Sequence, residues 1–197
     1  MQRRWTDAEP LLRKTLGDQQ RVLGVAHPDT LDSLNNLASF YWQQKKYSDA
    51  EPLYIQQLAV IRRTYGDNHP DLFRSMHNLA TTYHMMGRYA EAERLYIEAL
   101  EGKRRVLGRT HQLTSQTEAM LAAMYITQSR YLEARPLALS AFETDRATFG
   151  SEHNRTQTDL RRLTSIEEAD GNAAKAAEWR AMLPKELQNG NIAGRQN

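Results

Sequence analysis

Residues 66–71 read GDNHPD: Gly66, Asp67, Asn68, His69, Pro70, Asp71. A histidine set among carboxylates suits a metal ligand, a general base, or a stop between two structural elements. The rest of the chain decides between them. His27, His69, His111 and His153 are spaced by 42 residues, and three residues ahead of each stands a glycine, Gly24, Gly66, Gly108 and Gly150. The same period links Leu37, Leu79, Leu121 and Leu163, then Tyr41, Tyr83 and Tyr125, then Tyr47, Tyr89 and Tyr131. It also links Ala8, Ala50, Ala92, Ala134 and Ala176. So many registers at one period specify a solenoid of stacked units.

Each unit reads as two amphipathic helices. Leu34, Leu37, Ala38 and Tyr41 recur at i, i+3, i+4 and i+7, one helical face, and Ala50, Leu53, Tyr54 and Leu58 form a second. The expected helices run over roughly 6–22, 28–44, 48–64, 70–86, 90–106, 112–129, 132–148, 154–169 and 173–187. Turns fall at Lys45-Lys46 and Gly87-Arg88, with Gly87 and Gly171 suited to the left-handed residue that ends a helix. Ser48 with Glu51, and Thr6 with Glu9, have the spacing of capping boxes. Pro10, Pro52 and Pro136 are expected in the first turn of the second helices, where an N–H has no partner. Arg62-Arg63 and Arg104-Arg105 fall in last turns, at the negative end of the helix dipole.

GDNHPD thus joins one helix pair to the next. Gly66 ends a helix and Pro70 sits in the first turn of another. Copies one period apart lie on layers roughly 10 Å apart, the packing distance of helices. Four histidines along such a row cannot meet at one metal, whose ligands must lie about 2.0–2.1 Å away. The reading is structural, with no metal and no cofactor expected.

Composition narrows the function classes. The chain has 197 residues, 26 basic and 24 acidic side chains, and a formal charge of +2. So even a balance argues against a dedicated nucleic-acid binder, which carries a one-sided basic surplus. There are no cysteines, which removes disulfides, thiolate metal sites and cysteine nucleophiles. No apolar run approaches the ~20 residues of a membrane span, and MQRRWTDAEPLL lacks the apolar core of a signal peptide. A cytoplasmic protein that binds neither membrane nor nucleic acid is the expectation. No G-x-S-x-G, phosphate loop, H-E-x-x-H or dinucleotide fingerprint occurs, and the serines and histidines are spread along the array, so no catalytic residues and no enzyme are expected.

The residues Leu34, Leu37-Ala38 and Tyr41, and the run Gly87, Tyr89, Glu91-Ala92-Glu93, Leu95-Tyr96, Ala99-Leu100, resemble the tetratricopeptide repeat. The 42-residue period, with linkers such as Leu23-Gly24…His27-Pro28…Thr30, is similar to the long repeats of kinesin light chains and of many bacterial and fungal signalling proteins. The resemblance runs from about Trp5 to Leu183 and implies an all-α fold, an α-α superhelix: a right-handed solenoid of antiparallel helix pairs. It divides a single solenoid over 1–187 into a partial repeat (5–24, a second helix), full repeats at about 27–66, 69–108 and 111–150, and a degenerate capping repeat at 153–187. A flexible tail is expected over 188–197. Ser129 replaces the turn glycine of the third unit, and Thr164 and Glu167 stand where Ala and Tyr are usual. The closing stretch AAKAAEWRAMLPKEL resembles the end of repeat arrays attached to bacterial serine/threonine kinases.

An odd number of helices leaves the opening one without a mate, its residues Trp5, Ala8, Leu11, Leu12 and Leu16 shaped for an absent partner. Either the chain is the C-terminal module of a larger signalling protein, or another subunit supplies the helix, making a homo-oligomer. The resemblance implies that the first helices line a concave groove holding a peptide segment of a partner protein. In the first full unit that places Asn35, Asn36, Ser39 and Trp42 in the groove. In the second it places Arg74, His77, Asn78, Thr81 and His84 there, and in the fourth Arg161. Asn36 and Asn78 are the expected backbone clasp, since an amide offers both donor and acceptor; the alternative is that they satisfy neighbouring helix groups. Trp42 is either an anchor for a ligand side chain or part of the packing. Arg74, Arg161 and Arg162, with His77 and His84, would favour an acidic peptide, against which stand Asp32 and Glu168 on the same wall; protonation of the histidines would make binding pH-sensitive. The competing function is a structural or oligomerisation module acting through the opening helix and convex face.

Overall fold

The computed structural model describes residues 2–188, with side chains from residue 8 to residue 185 and at Leu187. The side chains of Trp5 and Thr6 and the tail from residue 189 therefore lie outside the described residues. The chain falls into two compact units, Met1–Val106 and Leu107–Asn197.

The first unit contains α1 (Gln2–Val22), α2 (Pro28–Gln43), α3 (Tyr47–Tyr65), α4 (Pro70–Met85) and α5 (Tyr89–Val106), each packed on the next. The periodic residues form its core: Leu34, Leu37, Ala38, Tyr41, Ala50 and Tyr54 are buried, while Leu53 and Leu58 are only half-buried. Gly102 of α5 lies so close to Phe73 of α4 that a Cβ there would meet the ring at 2.1 Å. One period away the same register holds Val60 and Thr144, opposite the registers of Leu31 and Ser115.

The second unit contains α6 (Gln112–Thr127), α7 (Tyr131–Phe149), α8 (Asn154–Ala169), α9 (Ala173–Ala181) and the single turn α10 (Lys185–Gln188). The last helix was expected unbroken to 187. It stops at Ala181 because the residue before a proline is driven out of helical backbone, and Pro184 follows.

The histidines of the linkers are helix N-caps. In His27, His69, His111 and His153 the backbone is extended and Nδ1 accepts the N–H of the residue two further on, at 3.3, 3.3, 3.1 and 3.2 Å. Pro28 and Pro70 occupy the first helical position behind two of them. Tyr65 stacks on His69 at 4.7 Å and Phe149 on His153 at 4.5 Å, which holds those rings in place. Gly66 and Gly150 just before have φ of 82 and 84° with ψ near 180°, a region open to glycine almost alone.

The turn inside each pair is a Schellman motif repeated four times. The N–H groups of Lys46, Arg88, Arg130 and Asn172 reach back to the carbonyls of Tyr41, Tyr83, Tyr125 and Glu167 at 2.8 to 3.0 Å. The left-handed position is Gly87 and Gly171 in two turns, but Lys45 (φ 60°) and Ser129 (φ 58°) in the others.

Both expected capping boxes fail. Ser48 is already inside α3, behind a Lys46 that makes no side-chain cap, and Glu51 binds Arg88 Nη1 at 2.7 Å instead. Thr6 likewise lies within α1, which starts at Gln2. The earlier starts also carry Pro10, Pro52 and Pro136 beyond the first turn, so each removes one helical hydrogen bond without ending its helix. Glu167 is no sign of decay either. Where Tyr41 donates to Glu9 at 2.7 Å, the corresponding pair in the last repeat is Arg135 donating to Glu167 at 3.0 Å. Both partners have changed together.

The opening helix is partly covered. Leu16 is buried, Ala8 and Leu12 are half-buried, and α1 packs on α2, while Leu11 stays 65% exposed.

Candidate functional site

Helices α2 and α4 lie side by side, and their facing polar residues are tied across one repeat. Arg74 Nη2 reaches Asp32 Oδ1 at 3.4 Å, and also Asp71 at 3.1 Å on its own helix. Asn78 Nδ2 donates to Asn35 Oδ1 at 3.0 Å. The amide pair formed is therefore Asn35 with Asn78, and Asn36 stands exposed beside it. Each side-chain amide of the pair keeps a free half: Asn35 Nδ2 and Asn78 Oδ1 have no partner among the described residues, while the Asn78 backbone carbonyl accepts from Thr82 Oγ1.

Other expected groove residues are engaged inward. Ser39 Oγ pairs with the Tyr54 hydroxyl at 3.1 Å, and Thr81 Oγ1 accepts from the Tyr96 hydroxyl at 2.9 Å while donating to the His77 carbonyl. These pairs, one period apart, bolt each first helix to its second. His77 is a correction: it is buried, 6% exposed, with its ring edge-on to Tyr96 at 5.7 Å, so it lines no groove. Burial, aided by the Lys103 charge, pushes it down to about 3, so it stays neutral near pH 7. His84 is half-buried and also lowered by burial. His77 therefore contributes no charge at mildly acidic pH, and burial makes His84 harder to protonate than a free imidazole.

Trp42 and His84 occupy one register and lean on Tyr47 and Tyr89, ring centroids 5.9 and 6.0 Å apart. Trp42 Nε1 and His84 Nδ1 are buried without a hydrogen-bond partner. Trp42 thus packs on one side and remains half-buried on the other. Arg161 belongs to the second unit, half-buried on α8.

Sequence reasoning missed a polar cluster in that second unit. Asp145 and Asp159 are each 1% exposed, at registers held elsewhere by Ile61 and Lys103, and by Ser75 and Thr117. At Asp159 the available signal was a carboxylate in a register otherwise held by hydroxyl side chains; at Asp145 the register varies from Ile61 to Lys103 and carried none. Among the described residues no group of His, Asp or Glu is placed to hold a metal, and no helix is long and apolar enough to cross a membrane.

The family model for the tetratricopeptide repeat matches residues 1–54, 29–105 and 77–137. The chain belongs to the tetratricopeptide repeat family. Its fold resembles a crystal structure of BtubC (BKLC) from P. vanneervenii, with a TM-score of 0.80 at 18% identity over 98% of this chain and 78% of that one. It also resembles a Podosopora anserina protein of nearly identical TPR-like repeats, named for kinesin light chains, with a TM-score of 0.74 at 25% identity over 90% of this chain and 84% of the other. A point variant of that protein gives 0.76 at 26% identity, over 90% and 86%. A comparison with curated proteins returns no match. The fold is the all-α, TPR-like superhelix of kinesin-light-chain-like repeat proteins, a scaffold that generally mediates protein–protein interactions and is generally not catalytic.

Proposed function

We propose that the chain is an adaptor that holds an extended peptide segment of a partner protein against α2 and α4. One observation carries the reading: the Asn35–Asn78 pair, which leaves an NH2 and a carbonyl unpaired on adjacent helices, beside the exposed Asn36. An extended peptide offers alternating C=O and N–H groups, and such a pair meets one of each whatever the side chains. Arg74 is already shared between Asp32 and Asp71, so the acidic preference is not part of the proposal.

The test is selection of peptides from a random displayed library on immobilised protein, followed by affinity measurement with Asn36→Ala/Asn78→Ala at equal helical content. The adaptor reading predicts enriched peptides that lose about tenfold or more in affinity, the worth of one or two hydrogen bonds. Peptides bound equally by both forms would overturn it. A second reading has its own support: Leu11 and Val22 of α1 are 65% and 70% exposed, an apolar surface suited to self-association. Sedimentation that shifts with concentration, and is abolished by Leu11→Glu, would favour it.

A further inference from the structure

Within the second unit, α6, α7 and α8 enclose an open pocket of about 230 Å³. Its floor is built from two buried carboxylates and two half-buried guanidiniums. Asp145 is fully used: it accepts from Ser115 Oγ, from Arg155 Nε at 2.7 Å and from Arg155 Nη2 at 3.1 Å. Asp159 is not. Its Oδ1 accepts from Arg162 Nη1 at 2.5 Å, but its Oδ2 is buried with no hydrogen-bond partner. Leaving a buried carboxylate oxygen unpaired is costly, because the group has lost its water without a replacement. Arg155 Nη1 and the outer edge of Arg162 likewise donate to nothing among the described residues.

The free valences and the charges together select a ligand class. Two carboxylates and two guanidiniums leave the floor formally neutral. A cation entering it faces Arg155 and Arg162, and an anion faces Asp145 and Asp159. A neutral group that both donates and accepts meets no such repulsion, because its N–H suits Asp159 Oδ2 and its C=O suits the guanidinium edges. The volume lies below the ~300–1,000 Å³ of small-molecule sites and matches a single side chain with its adjoining backbone. Ala119 and Met120 on the wall suit the methylenes of such a side chain.

We propose that this pocket is a specificity subsite for the side-chain carboxamide of a glutamine or asparagine in a bound peptide. It rests on the reading that the chain binds peptides, but uses none of the residues of the α2–α4 face. Burial raises Asp159 to about 6, with Asp145 adding to the rise and Arg162 opposing it, so near pH 7 the carboxylate is the acceptor that an amide N–H requires.

The test uses the full chain, labelled with ¹⁵N, and N-acetyl pentapeptides of alanine with a central Gln, Glu, Lys or Leu and an N-methylamide end. The Gln peptide is expected to shift amides of α6 and α8 around 116–120 and 154–162. It should bind about tenfold or more tightly than the Glu, Lys and Leu peptides, the worth of one charge-assisted hydrogen bond. Asp159→Leu should make Gln and Leu peptides equivalent. Asp159→Asn, which keeps the volume, should reduce the preference if the leucine variant fails to fold. Equal or tighter binding of the Glu or Lys peptide, shifts confined to other helices, or no binding at all would overturn the proposal. Running the series on Asn36→Ala/Asn78→Ala separates the two readings: a Gln preference that persists there, with affinity unchanged, leaves the pocket standing while the α2–α4 adaptor reading falls.

Discussion

Gly102 owes its place to the Phe73 ring, since any Cβ at that position enters the space the ring fills. Both are buried, so neither moves aside freely. Gly102→Ala is expected to destabilise by about 1–3 kcal/mol despite better helix propensity, the usual cost of overpacking a core. Pairing it with Phe73→Leu should recover part of the loss, which a double-mutant cycle in urea would show. Lys45 and Ser129 present the opposite case, side chains forced into left-handed backbone. Lys45→Gly and Ser129→Gly should each stabilise by up to about 1 kcal/mol, seen as a higher urea midpoint at unchanged slope. His77 gives stability a pH dependence. Its ordinary value of 6.5 falls to about 3 on folding, so between those values the unfolded chain binds the extra proton. Stability therefore drops as pH falls through that window, by up to about 1.4 kcal/mol per pH unit. Asp159, raised to about 6, opposes this, because the folded chain takes up its proton first as pH falls from 6 towards 3.8. Going from pH 7 to pH 5, the urea midpoint should fall in the wild type but hold or rise in His77→Gln, where the Asp159 effect acts unopposed.

At the scale of the element, the linker histidine is a cap. His69 Nδ1 takes the N–H of Asp71, one of the donors that every helix start leaves orphaned. His69→Ala should cost about 1 kcal/mol and His69→Asn should restore most of it, because asparagine caps through its own oxygen. Thermal melts of the two variants decide the matter, and equal losses would deny the cap. Element order was legible because apolar spacing and turn residues repeat at 42 residues, which averages out local ambiguity. Element starts were less so. The S-x-x-E spacing at Ser48 mimicked a capping box, yet Glu51 is drawn off to Arg88, a partner 37 residues away that no local pattern reveals. The break before Pro184 was present in the sequence and needed only the rule for residues that precede proline.

Across the whole molecule, periodicity says which helix a residue is on but not how deep it sits. Asn78 and His77 are chain neighbours expected on the same face. The first bonds Asn35 at the surface, while the second is buried against Tyr96. One residue turns a helix by about 100°, enough to carry a side chain from face to core. The Asp145–Arg155 pair joins two helices and the Asp159–Arg162 pair departs from the repeat, so neither is written in the 42-residue periodicity. The central claim is that α2 and α4 receive the partner's peptide. The direct measurement is a ¹⁵N amide shift map of the full chain titrated with the tightest peptide from the displayed library. The adaptor account predicts shifts centred on Asn35, Asn36, Arg74 and Asn78. Shifts centred on Leu11 and Val22 of α1, or a spectrum unchanged at saturating peptide, would contradict it.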